Sequence, residues 1–187
     1  MLSTRALICG MACCLLFIRP AAPAQEEPPI RYRTEANFLA HFASFVSWPE
    51  SAFSDIHAPV HLCLFADVDF GNSLQELTKD VKPKGRHVEV RSVKTPDQIR
   101  ACHILFIGRD DAKKYGTILN PIRDLPVLTV GETPDFLDAG GIVNFVFGES
   151  LQIDINLGAA GRSDLKIRSA LAALARHVIN AGPRTHP

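Results

Sequence analysis

Apolar and polar positions along this chain follow two periods, and the period switches at nearly every Pro- or Gly-containing break. Over residues 32–48, Phe38, Leu39, Phe42, Phe45 and Val46 recur at the i, i+1, i+4, i+7, i+8 spacing of one buried helical stripe. Pro49 disfavours helical geometry at Trp48 and stops the helix there. Residues 60–65 (VHLCLF) read as a strand, and residues 72–80 fit a short helix around Leu74 and Leu77. Residues 87–93 (HVEVRSV) alternate as a half-buried strand. Residues 96–101 allow a helical turn with Pro96 at its permitted first position. Residues 103–107 (HILFI) form a continuous apolar run that suits a central strand buried on both faces. Residues 111–120 read as a helix closed by Pro121, residues 127–130 as a strand, and residues 133–137 as one helical turn. Gly140-Gly141 leads into residues 142–147 (IVNFVF), which Gly148-Glu149-Ser150 joins to residues 151–157 (LQIDINL) as an antiparallel hairpin. The spacing of Ile167, Leu171, Leu174 and Val178 predicts a last helix over residues 164–178.

Strands and helices therefore alternate for most of the length. That pattern predicts an α/β fold: a single layered domain over residues 32–181, with a mixed, mostly parallel sheet flanked by helices, a C-terminal hairpin and a final helix. No internal repeat or low-complexity tract divides it.

Residues 1–24 follow a different logic. Arg5 supplies a positive start, residues 6–18 (ALICGMACCLLFI) are apolar and uncharged, and Ala22-Pro23-Ala24 provides small residues for a signal peptidase. We read this as a signal peptide cleaved before Gln25, since the apolar run is well short of the roughly 20 residues that span a bilayer. A lipid anchor on Cys13 or Cys14 competes with this reading, but Gly10-Met11-Ala12 matches a lipoprotein signal poorly. Residues 25–31 are polar and Pro-rich and read as a flexible arm. The leader holds two of the chain's 20 basic residues (Arg5 and Arg19) and none of its 20 acidic ones, so the remainder carries a net charge of −2. No basic surplus points to nucleic acid as a partner.

Export changes the meaning of the cysteines. Three of the five leave with the leader, and Cys63 and Cys102 remain as an even pair in an oxidising compartment, where a disulfide is the default. Two alternatives stand beside it. His61, Cys63, Cys102 and His103 have the side chains of a zinc site, although adjacent Cys102 and His103 point to opposite faces of a regular strand. For Cys63 as a nucleophile, nothing local marks an activating base.

No catalytic constellation stands out: there is no Gly-x-Ser-x-Gly elbow, phosphate loop, His-Glu-x-x-His or dinucleotide fingerprint. The reading is a non-enzyme without cofactor or metal. Asp67 and Asp69 after the first strand, and Asp110 and Asp111 after the central one, sit where open α/β sheets bind ligands. Their bland reading is solvated loop, with Asp69 helping to start the next helix. His41 reads as a packed or surface histidine, and Asn144 and Asn156 as strand residues that need hydrogen-bond partners. Two aromatic sets are candidates for partner contact: Phe38, Phe42, Phe45 and Trp48 on the first helix, and Phe145 and Phe147 in the hairpin. Core packing is the alternative for both. Arg168 and Arg176 on the last helix read as solvated residues able to meet an acidic partner.

Six motifs in order carry a resemblance. They are Phe38-Leu-x-x-Phe42-x-x-Phe45-Val-x-Trp48-Pro49, His61-Leu-Cys63-Leu-Phe65, Cys102-His103-Ile-Leu-Phe-Ile107, Leu125-Pro-Val-Leu-Thr-Val-Gly131, Gly140-Gly141-Ile-Val-Asn144-Phe145 and Ile153-Asp-Ile-Asn156. Over residues 32–178 the chain resembles the YfiR-like family of exported bacterial proteins. The resemblance implies a periplasmic, dimeric regulator that restrains a membrane-bound diguanylate cyclase by binding the cyclase's periplasmic domain. It also implies that an outer-membrane lipoprotein can pull the regulator away, so that cyclic di-GMP and biofilm formation come under its control. Cys63 and Cys102 match one family bridge. A second family bridge has no counterpart, because no cysteine follows Cys102. The runner-up reading is a periplasmic small-molecule sensor or binding module.

Overall fold

The computed structural model describes residues 30–66 and 71–180, with side chains from residue 32 onward. The leader, nearly all of the arm, and the loop holding Asp67 and Asp69 lie outside the described residues. The described chain opens with helix α1 (Ile30–Phe45), which runs straight into a short strand β1 (Val46–Ser47). There follow β2 (Val60–Phe65), α2 (Gly71–Thr78), β3 (Val88–Val93), α3 (Pro96–Ile99), β4 (Ile104–Phe106), α4 (Tyr115–Leu119), β5 (Leu128–Gly131), β6 (Val143–Phe147) and β7 (Leu151–Asn156). The chain then makes α5 (Leu157–Arg162), β8 (Lys166–Ile167), α6 (Ser169–Ala172) and β9 (His177–Ile179).

Seven strands form one sheet in the order β3-β2-β4-β5-β6-β7-β9. The first five are mutually parallel, β7 is antiparallel to β6, and β9 is parallel to β7. The mixed, mostly parallel α/β sheet is as the sequence pattern predicts. The chain leaves β2 for β3 on one side and returns to β4 on the other, so β2 and β4 flank the point where the order reverses.

Period-two alternation explains the unbroken apolar runs. In β2, Leu62 and Leu64 face α1, while Cys63 and Phe65 face the opposite layer, and all four are buried. Phe136 fills that opposite layer, between Gly131 and Gly141. A Cβ on either glycine would overlap its ring, so only glycine lets both backbones approach. Cys63 and Cys102 form a disulfide there, their Cα atoms 5.9 Å apart. Each sulfur is bonded to the other, so neither thiol is left for zinc or for nucleophilic attack.

The final helix needs correction. Residues 164–178 are not one helix but β8, the four-residue α6 and β9. Asp164 takes a left-handed backbone (φ 52°) just past α5, which breaks any helical run at its start. Ile167 and Lys166 then pair with Val46 and Ser47 of β1. Past α6, the Arg176 N–H donates to the Ile153 carbonyl at 2.8 Å, and its guanidinium grips both carboxylate oxygens of Asp154 at 3.0 and 2.6 Å. Backbone groups along β7 and a charged pair outweigh the helical preference of an Ala-rich stretch. Arg168 and Arg176 are therefore not helix-face residues: Arg168 precedes α6 and Arg176 precedes β9.

Candidate functional site

Helix α1 buries Ala36, Leu39, Ala40, Phe42 and Ala43 against the sheet. Its aromatic stripe is wider than this contact. Phe38 and Phe45 are half-buried, and together with Asn37 and His41 they form one wall of an open cleft of about 350 Å³ whose floor is the buried Phe42. The other wall is Leu171 of α6 and Leu174 just beyond it. Leu171 is buried, whereas Leu174 is 63% exposed, so among the described residues the cleft carries apolar surface out to its rim.

The floor is anchored in the core. Phe42 stacks on Phe145 of β6 with ring centroids 5.8 Å apart, Phe38 meets both edge-on at 6.3 and 6.0 Å, and Phe106 of β4 lies 6.2 Å from Phe145. This ladder ties the cleft's floor to the core of the sheet. The walls are held in register by Arg168: its N–H donates to the Phe45 carbonyl at 2.9 Å and its guanidinium to the Ser44 carbonyl at 3.1 Å. A cation therefore sits at the C-terminal end of α1, where the helix dipole favours it. At the rim, Asn37 donates to the Arg33 carbonyl and His41 Nδ1–H to the Asn37 carbonyl, each at 2.8 Å. The outward atoms of this rim, Asn37 Oδ1 and His41 Nε2 in neutral imidazole, are acceptors. The cleft offers apolar contact with a thin polar margin.

The structure separates the aromatic residues singled out in the sequence. Phe38 and Phe45 wall the cleft and Phe42 floors it. Phe145 is buried beneath and does not reach a surface, so it supports the site rather than forming it. Phe147 is half-buried farther along β6, and Trp48 belongs to a different cluster around His103. Arg176 is committed to Asp154. Burial pushes the Asp154 carboxyl up, but the hydrogen bonds and charge of Arg176, joined by His177, outweigh it and leave the net direction down. At the strand ends, Asp110 is exposed, and Asp111 pairs with Lys114 at 2.7 Å. Beside them, Glu132 accepts the Arg109 N–H at 2.7 Å. Asp111 and Glu132 are thus engaged by their neighbours, and Asp110 faces solvent.

Leu171, Leu174, Asn37 and His41 were not singled out as site residues. The two leucines had a signal, being on the predicted stripe of the last helix, but their role depends on how the chain folds back beside α1.

A sequence model of the family described as YfiR/HmsC-like (DUF4154) matches residues 32–176. Among curated proteins, none matches. Two solved structures are similar in fold. One is the ABC domain in complex with L-Trp from Streptococcus pneumonia, at TM-score 0.51 and 10% identity over 77% of this chain and 60% of that one. The other is a conserved domain protein from Vibrio cholerae o1 biovar eltor, at TM-score 0.51 and 8% identity over 79% of this chain and 60% of that one. This chain thus spans less than two thirds of either structure, and at such identity the likeness is one of fold alone.

Proposed function

The chain belongs to the YfiR/HmsC-like family, and from that premise we propose that it is a periplasmic regulatory protein that represses a membrane-bound diguanylate cyclase by binding the cyclase's periplasmic domain. The observation that supports this most is the open apolar cleft between α1 and α6, with exposed Leu174 on its rim. Protein contacts draw their energy from a few buried aromatic and aliphatic anchors, and this cleft accepts such an anchor from a partner. Repression then works by population shift: the bound protein favours the receptor's inactive arrangement by its difference in affinity for the two states. In the same reading the protein acts as a homodimer in the periplasm after loss of residues 1–24. An outer-membrane lipoprotein relieves repression by drawing it away. The disulfide, and the absence among the described residues of any helix long and apolar enough to cross a membrane, agree with that location.

The test is cyclic di-GMP in cells lacking the gene and complemented with wild type or Leu174→Glu. Deletion should raise the nucleotide, wild type should restore it, and the variant should be exported at normal level without restoring it. A level unchanged by deletion under several growth conditions overturns the cyclase reading. The size of the cleft also favours a second reading, a small apolar molecule held there, since ligand pockets start near 300 Å³. A thermal-shift screen separates the two, because a ligand raises the melting temperature by mass action.

A further inference from the structure

Between β1 and β2 the chain crosses the sheet's lower end as a strap, residues 48–59, with one turn of 3-10 helix at Glu50–Ala52. Side chains hold it, and His103 is at their centre. His103 lies one residue before β4 and is 6% exposed. Its Nδ1 accepts the backbone N–H of His61 at 3.0 Å, so that nitrogen carries no proton. Its Nε2 lies 3.0 Å from the Ala52 carbonyl in the strap, so that nitrogen carries one. Both partners are backbone groups with fixed roles, and only the neutral Nε2–H tautomer satisfies both. The ring stacks on Phe53 at 4.5 Å and meets the edge of Trp48 at 6.2 Å, while Trp48 Nε1–H donates to the His103 carbonyl at 3.2 Å. Arg86 closes the far side: it lies 3.8 Å over the Phe53 ring and donates to the Asp55 and Ala58 carbonyls at 2.9 and 2.7 Å.

A second proton on His103 would set Nδ1–H against the N–H of His61, donor against donor in a buried site. The charged neighbours do not compensate. Arg86 and Lys84 from the segment before β3 and Arg91 from β3 are positive, and His61 on β2 lies 5.3 Å away ring to ring. The carboxylates are engaged elsewhere. Glu89 is held by Arg91 at 2.7 Å and His87 at 3.1 Å and lies 3.7 Å from His61 Nε2 rather than beside His103, Asp55 accepts the His57 N–H at 2.7 Å, and Glu50 is exposed. The Cys63–Cys102 bridge, adjoining His103, ties β2 to the start of β4 whatever the strap does.

We propose that His103 is a proton-operated latch: protonation releases the strap and uncovers Trp48 and Phe53 while the seven-stranded sheet stays intact. The latch does not depend on what binds the cleft. Burial pushes His103 down from 6.5 to about 4; the bond to the Ala52 carbonyl opposes this and the positive neighbours add to it. Because the folded value lies below the unfolded one, the strap's hold is complete above pH 6.5 and weakens as the pH falls towards about 4.

Trp48 is the chain's single tryptophan, so its emission reports on the strap alone. The oxidised, exported protein is taken from about pH 7.5 to about pH 3.5, either side of the histidine range. The expected result is a red shift of Trp48 emission and a several-fold rise in acrylamide quenching, centred between pH 6.5 and 4, with far-UV circular dichroism unchanged. His103→Gln, which keeps a donor but does not titrate, should abolish the transition. If that variant does not fold, the imidazole Cε1 resonance of His103 in the wild type must titrate on the same curve as the emission. Emission that stays constant throughout, that changes only with loss of the sheet signal, or that follows His61 or His87 instead of His103 overturns the latch.

Discussion

The two faces of the sheet are finished differently. The face bearing Cys63, Phe65, Leu105 and Ile107 is closed: it contains the disulfide, and short helical turns place Ile99, Ile118, Leu119 and Phe136 against it, with no large apolar side chain of this cluster exposed among the described residues. The face under α1 is closely packed at its centre, where Phe42, Phe106 and Phe145 meet, yet it opens at its margin into the cleft with Leu174 outside. Both faces are rich in apolar side chains. They differ in whether that surface is used up internally, and the remainder on the α1 face is available to another molecule.

This contrast implies that substitutions on the closed face should cost stability, and those at the open margin should cost binding. The largest effect is expected from Phe136→Ala, which empties the space between Gly131 and Gly141 and should lower stability by about 3–5 kcal/mol in urea unfolding. Removing the bridge with Cys102→Ser should cost about 3–4 kcal/mol for its 39-residue separation. Thiol titration of the unfolded, non-reduced wild type should find no free thiol among residues 25–187, and two would disprove the bridge.

A smaller effect is expected from Asp154→Asn. The native carboxyl is held below its ordinary value, so it contributes stability above its unfolded pKa of 3.8 that is lost as pH falls through the folded value. The variant should therefore be less stable than wild type at neutral pH, and the difference should shrink in acid. The smallest change in stability, within about 0.5 kcal/mol, is expected for Leu174→Glu, although it should abolish partner binding. If Leu174→Glu destabilised the protein as much as Phe136→Ala, the cleft would be core, and the contrast between the faces would fail.

Much of the fold could be read along the chain because its signals are local. The α1 stripe, the runs that became β2 and β4, and the β6–β7 hairpin each lie in one short window of alternating or periodic residues. The last helix failed for the opposite reason. Ile167, Leu171, Leu174 and Val178 do have helical spacing, but the groups that decide their fate, Val46–Ser47 and Asp154, lie 20 to 120 or so residues away in sequence. The candidate contact residues divided likewise. Phe38, Phe42 and Phe45 were legible as an over-wide stripe, whereas Phe145 proved to be their support and Trp48 the partner of a histidine 55 residues on.

By itself the sequence determined the α/β class and the order of most strands and helices, and made a Cys63–Cys102 bridge the default. Each of these follows from residue periodicity or from the count of reactive groups. Tertiary structure alone decided which apolar side chains remain uncovered, that residues 164–180 fold back as two short strands around a four-residue helix, and which tautomer His103 must hold. Burial and hydrogen-bond partnership are properties of groups brought together from distant positions, and no window of sequence contains both members of such a pair.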